Sequence, residues 1–367
     1  MCKSPLHDLL VNLPKCEHHV HLEGTLSPSL LFSLAAKNNI VLRDPSSPAP
    51  ATTSPNGGEE GEAFTSPAHL AARYANFSSL DDFLAYYYVG FSVLRDADDF
   101  EALTYEYLVR AAQDNVRHAE VFFDPQGHLP RGVSVEVVME GFGRAVRRAE
   151  AEGLGISVLL IPCLLRHLPV EHSAQVFDSL VRDGHFASGA LSGLGLCSTE
   201  IDRPPELYRA IFERAKEHGT AHAGEEGPPA YIASALSELS VSRIDHGVRA
   251  AQSAELLALL AAQKILLTVC PLSNLALRGV QRVADVPIRA FIDAGVRFSI
   301  NSDDPAYFGG YILDNYCAVQ EAFGLSVGEW EGIARAAVEG SWCVEGRKGE
   351  ILRELEGVLV EFGGVSG

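Results

Sequence analysis

The sequence predicts an α/β protein built as a closed (β/α)8, TIM-type barrel, one domain spanning residues 1–367. Two observations carry the prediction. Eight short apolar, β-rich runs alternate with amphipathic stretches of helical length, the pattern of βαβ units around a parallel sheet. Residues capable of chemistry recur where those runs end, and barrels place their sites at the C-terminal ends of strands. A chain of this length with 47% hydrophobic residues can bury a large core.

The first run, Cys16–Leu22, lies in "KCEHHVHLEG", with three histidines in four positions. Side chains alternate along a strand, so His19 and His21 share one face, as two ligands of one metal must. His18 has the opposite parity and shares with Val20 a face expected to pack on helices. The connection that follows is enlarged. Its Arg43–His69 segment is rich in Pro, Ser, Thr, Gly and Glu, with almost nothing to bury, and is expected to be a disordered, mobile surface insertion. Helical patterns from Leu80 to Val116 are expected to form a wall or lid over the site.

The second run is Ala119–Phe123, and the third is Ser157–Leu165. His118-Ala119-Glu120 imitates part of the nucleobase-deaminase zinc signature. Its Pro-Cys-x-x-Cys companion is missing, because Pro162-Cys163 is followed by Leu, Leu and Arg. The fourth run, Leu191–Cys197, holds a Gly-x-Gly but no dinucleotide fingerprint. Its small residues leave room for a ligand. Thr220–Gly224 opens "TAHAGEEG", where His222 shares parity with Thr220 and Glu225 lies just past the strand end. A partly dehydrated carboxyl beside a cation can shuttle protons. Arg243–His246 ends in His246-Gly247, and the glycine permits close approach. Ile265–Cys270 is the seventh run and Arg297–Ser302 the eighth. In "VRFSINSDDPAYF", Phe298 and Ile300 suit the helical shell, while Ser299, Asn301 and Asp303 point inward. Adjacent carboxylates in a barrel mouth repel unless a cation neutralises one. The last two amphipathic stretches read as extra C-terminal helices.

His19, His21, His222 and Asp303 together suit a borderline divalent metal such as zinc, with a position left for water. Such an ion brings the pKa of water to about 7, so hydroxide can attack an electrophilic carbon at neutral pH. The formal net charge of −19 disfavours nucleic acid and anionic membrane surfaces, and favours a small neutral or cationic substrate. Seven dispersed cysteines suit a reducing compartment. With no signal peptide or spanning run in view, the expected setting is the cytoplasm, and the nucleus with it.

These motifs resemble the adenosine/adenine deaminase family of metal-dependent hydrolases. "EHHVHLEG" matches its metal-binding strand, with His18 in place of the usual Leu, and "HAGE", "DHG" and "SDDP" follow in family order. The resemblance runs from about Leu13 to Cys343, excluding the Pro/Ser-rich insertion. Within the family, "EVFFDPQGH", "HAGEEGPPAYI" and "LTVCPLSNLAL" are similar to the adenine deaminase branch. It implies one Zn2+ per chain on His19, His21, His222 and Asp303. Glu225 would protonate purine N1, and His246 would orient a zinc-bound hydroxide. Asp304 would bond N7, and the backbone around Ser198 would contact N3. Glu23 stands where adenosine-specific members tend to carry an Asp facing the ribose, and its longer side chain is expected to help close that space. The implied reaction is hydrolysis of adenine to hypoxanthine and ammonia, in purine salvage. Adenosine or an N6-substituted adenine is the alternative substrate, and another metal-dependent amidohydrolase reaction stands further off. One departure bears on that choice: the loop after the fourth strand reads "CSTEIDRPP", where the branch usually has Asp-Ser-Ser-Glu-Val-Gly-Asn-Pro-Pro. Oligomeric state is left open.

Overall fold

The structure, a computed structural model, describes residues 4–47, 61–215 and 218–363. Eight strands, β1 (Lys15–His21), β2 (Val116–Phe123), β3 (Ser157–Leu165), β4 (Gly193–Cys197), β5 (His218–Ala223), β6 (Arg243–His246), β7 (Leu266–Val269) and β8 (Arg297–Ile300), follow one another in chain order. Every neighbouring pair is parallel. The ring closes just beyond β8. Asp303 N–H donates to the His19 carbonyl at 2.9 Å, and His21 N–H donates to the Asp303 carbonyl at 3.0 Å. The seam of the barrel therefore runs through three of the expected metal ligands.

The register of β1 against β2 shifts twice, between Lys15 and Cys16 and again between Glu17 and Val20, and the second shift is a break in alternation. Before the break, Glu17 accepts from the hydroxyl of Tyr107 on the helical shell at 2.8 Å. His18 lies inside, with Nδ1 3.0 Å from Ser299 Oγ and Nε2 2.8 Å from Ser341 Oγ. After it, His19 and His21 face inward and Val20 joins the apolar core. The expectation that His18 packs on helices is therefore corrected: a bulge resets the phase, and His18 is a bonded interior residue below the site.

The barrel floor absorbs the His118-Ala119-Glu120 segment. Glu120 accepts from Arg243 Nη1 and from the Trp342 backbone N–H, both at 2.5 Å. The Arg243 guanidinium lies 4.0 Å from the centre of the Trp342 ring. Among the C-terminal helices, Val327–Gly340 packs on β8 and β1, and a Ser326/Glu329 capping box starts it.

After β1 come helices Pro28–Lys37, Pro67–Tyr74, Leu80–Phe91 and Ala97–Gln113. Leu80–Phe91 is capped by Ser79, whose side chain accepts from Asp82 N–H. Of the segment expected to be mobile, residues 48–60 lie outside the described residues. Its flanks are held: Arg43 and Ala63 form an antiparallel bridge, and Phe64 N–H donates to Leu42 O at 2.9 Å. Leu42 and Phe64 are both buried, which gives these ends apolar surface to anchor. Among the described residues no helix is long and apolar enough to cross a membrane.

Candidate active site

At the C-terminal mouth, His19, His222, His246 and Asp303 bring ligand atoms within 4.8 Å of one another. His19 Nε2 lies 3.3 Å from Asp303 Oδ1, and His21 Nε2 lies 3.6 Å from the same oxygen and 3.3 Å from His222 Nε2. Ligand atoms on one tetrahedral ion, each about 2.0–2.2 Å from it, are themselves about 3.3–3.6 Å apart. His19 Nε2 is buried and has no hydrogen-bond partner. Donor type, spacing and this orphaned nitrogen all fit a bound divalent ion. Burial and the neighbouring His19 hold His222 below its usual range. Burial alone would raise Asp303, but His19, His246 and His21 hold it well below the usual carboxylate range.

His246 stands in that group in place of His21, and it also reaches the acid–base residue Glu225. His246 Nε2 is 3.4 Å from Glu225 Oε2 and 3.8 Å from Asp303 Oδ2. Burial holds His246 neutral, well below its usual range. Burial, with Asp303, Glu200 and Glu226 nearby, raises Glu225 well above the carboxylate range. Asp304 is likewise raised by burial and by Asp303, and its Oδ1 is buried without a partner. His246, Asp303 and Ser198 have φ of 60°, 64° and 74°, a left-handed backbone that surroundings must hold in place. That turn at His246 explains how two consecutive residues, Asp245 and His246, both face inward.

Sequence reasoning passed over two supporting carboxylates. Asp245 is fully buried and accepts from Thr220 Oγ1 at 2.7 Å and Thr268 Oγ1 at 3.0 Å. It stands 3.5 Å from His222 Nδ1 and 3.9 Å from His19 Nδ1, the side of each ring turned from the cluster. Such a carboxylate orients metal-binding imidazoles. Glu200, in the departing "CSTE" loop, accepts backbone N–H bonds from Gly224 and Glu225 at 2.9 Å, Gly227 at 3.2 Å and Glu226 at 3.4 Å. It thereby shapes the turn that carries Glu225, opened by Gly224 at φ +77°. Gly247 has φ +69° and abuts Leu267, so its close neighbour is the core rather than a ligand.

The cleft above the cluster is walled by Leu80, Phe83, Leu84, Tyr87 and Tyr88 of the Leu80–Phe91 helix. His21, His222, Glu225, His246, Asp303, Asp304 and Ser198 line it, and so does Asp124. The Ser198 hydroxyl is engaged with His167 Nδ1 at 2.8 Å. Glu23 is buried behind Asp124, its Oε1 accepting from the Asp124 backbone N–H at 3.2 Å and from His128 Nε2 at 2.6 Å. Of these two neighbours, Asp124 is the one that borders the cleft.

A family model for adenosine deaminase matches residues 14–358. The chain is 53% identical to the adenine deaminase of Gibberella zeae over 365 residues, covering 99% of each. It superposes on the crystal structure of an adenine deaminase from Arthrobacter aurescens with a TM-score of 0.84 at 36% identity, over 95% of this chain and 99% of that one. A Burkholderia ambifaria amidohydrolase with bound Zn shares the fold, with a TM-score of 0.81 at 23% identity over 99% and 97% of the chains. On a match that runs from end to end of the barrel, the chain belongs to the adenosine deaminase family.

Proposed function

We propose that this chain hydrolyses adenine to hypoxanthine and ammonia in purine salvage, using one zinc ion held by His19, His21, His222 and Asp303. The observation that carries this function is the pairing of near-full-length identity to adenine deaminases with a cleft that sets Glu225 and Asp304 beside a metal-fitting cluster in which His246 also stands. An ion bound there supplies a nucleophile at neutral pH by acidifying water. Glu225 Oε2 delivers a proton to N1, which makes C6 electrophilic. His246 Nε2, between Glu225 and Asp303, orients the attacking water and helps move its proton. Asp304 holds N7. The C6–N bond then breaks, the amine leaves as ammonia, and N1 keeps its proton. Each positioned acid–base group contributes about 10²–10⁴ in rate.

One metal-dependent domain and a small purine partner complete this proposal. Free, buried Cys16, Cys163, Cys197 and Cys270 support a reducing, cytoplasmic or nuclear setting. The test is ammonia release by zinc-loaded protein from adenine, adenosine, AMP and N6-methyladenine in parallel. Adenine is expected to have the highest kcat/KM, and faster turnover of adenosine or an N6-substituted base overturns the assignment.

A further inference from the structure

Resting on the adenine assignment, the purine atoms engaged by the proposed acid–base groups are N1, C6 and N7, which leaves N9 and the N3 edge that the resemblance gives to the backbone around Ser198. The strands follow chain order around the barrel, and the perimeter of a purine runs N7, C8, N9, C4, N3, C2, N1. With N7 on Asp304 after β8 and N1 on Glu225 after β5, the remaining perimeter passes the ends of β1, β2, β3 and β4. Asp124 follows β2 directly and lines this arc, with Cys197 and Ser198 at the end of β4. A His21 ring nitrogen lies within 4.8 Å of Asp303 and Asp304, and one lies as close to Asp124 and Cys197. The two carboxyl sets thus flank the same imidazole.

We infer that Asp124 binds the N3/N9–H edge of the free base, and that this contact selects a base over a nucleoside. Asp124 is 2% exposed, yet its oxygens accept only a long bond from the Tyr87 hydroxyl at 3.4 Å and a weak one from the Cys197 thiol at 3.5 Å. Both oxygens therefore retain capacity for a shorter partner. The residue is anchored from behind. Arg131 Nη2 donates to His128 Nδ1 at 2.6 Å, so His128 Nε2–H donates to Glu23 Oε1, which also takes the Asp124 backbone N–H. Burial and the Glu23 carboxylate together favour the protonated form of Asp124. A neutral carboxyl presents an O–H donor beside a carbonyl acceptor, the complement of N3 beside N9–H. A nucleoside has no N9–H and places its sugar there, which leaves a buried carbonyl unpaired.

The test compares kcat/KM for adenine and 9-methyladenine in wild type, Asp124→Asn and Asp124→Leu, with metal content and melting temperature read alongside. The Asn amide keeps the donor–acceptor pair and is expected to stay within about tenfold of wild type on adenine, with selectivity retained. Asp124→Leu is expected to lose about 10²-fold or more on adenine while 9-methyladenine changes little, so the ratio collapses. Wild-type selectivity surviving in Asp124→Leu, or lost equally in Asp124→Asn, overturns the role of Asp124 alone. Wild-type preference for adenosine overturns the substrate assignment as well. Should the Leu variant not fold, inhibition of wild type by hypoxanthine and 9-methylhypoxanthine makes the comparison. Hypoxanthine is expected to bind about 10²-fold more tightly, and equal inhibition overturns the inference.

Discussion

Replacing Glu200 with glutamine is expected to lower both stability and turnover. Glu200 is fully buried, and its two oxygens accept four backbone N–H groups, from Gly224, Glu225, Glu226 and Gly227. Arg166 Nη1 stands 3.9 Å away and is equally buried. Glutamine offers one acceptor oxygen and turns an NH2 toward the other pair of N–H donors. A buried donor left unsatisfied costs about 1–3 kcal/mol, and stripping a buried charge of its partner costs about 3–5 kcal/mol. The same atoms contribute to both, so the combined loss is about 3–5 kcal/mol. At about 2.1 cal/mol/K per residue this lowers the melting temperature by about 4–6 °C. The turn carries Glu225, and a shift of about 1 Å there costs about 10²-fold in kcat. Metal content should not change, because Glu200 touches none of the four proposed ligands. Scanning calorimetry and steady-state adenine kinetics on the zinc-loaded protein decide it. A variant melting within about 1 °C of wild type, with kcat within about twofold, would refute the claim that this carboxylate shapes the site.

Three further outcomes follow from the same geometry. Glu225→Gln should fold and bind metal normally while kcat falls by about 10²–10⁴, and near-normal turnover would remove Glu225 from the mechanism. Asp245→Asn should weaken metal binding by about 10–100-fold in a chelator competition, and unchanged affinity would show that Asp245 does not orient His19 and His222. Lys15 is fully buried, and desolvation brings its pKa down from 10.5 to about 7. The unfolded chain therefore binds more protons than the native one between pH 7 and 10.5, so stability relative to Lys15→Met rises with pH, by about 1.4 kcal/mol per unit. Urea unfolding of both proteins at pH 7, 8 and 9 measures that difference, and a constant gap contradicts it.

Strands were legible where apolar alternation is undisturbed, and β3 and β6 span the residues the sequence predicts. β2 starts at Val116 rather than Ala119, because Arg117 and His118 look like loop residues. They sit in the strand because Glu354 and Ser157 bond them. His18 shows the limit of parity. Counting by two placed His19 and His21 together correctly, but the bulge before His19 put His18 inside as well.

By itself, the sequence determined the barrel, the strand ends that carry chemistry, and a candidate ligand set of three histidines and an aspartate. Each depends on short-range periodicity and on residue chemistry, which a linear chain displays directly. The tertiary structure alone decided which carboxylates support which groups: Asp245 behind the imidazoles, Glu200 under the Glu225 turn, and Glu23 behind Asp124 rather than at the cleft. Those assignments depend on partners 20 or more residues away, such as Gly224 for Glu200 and Asp124 for Glu23. Closure of the sheet and burial create these pairs, and no local pattern records which acids will meet.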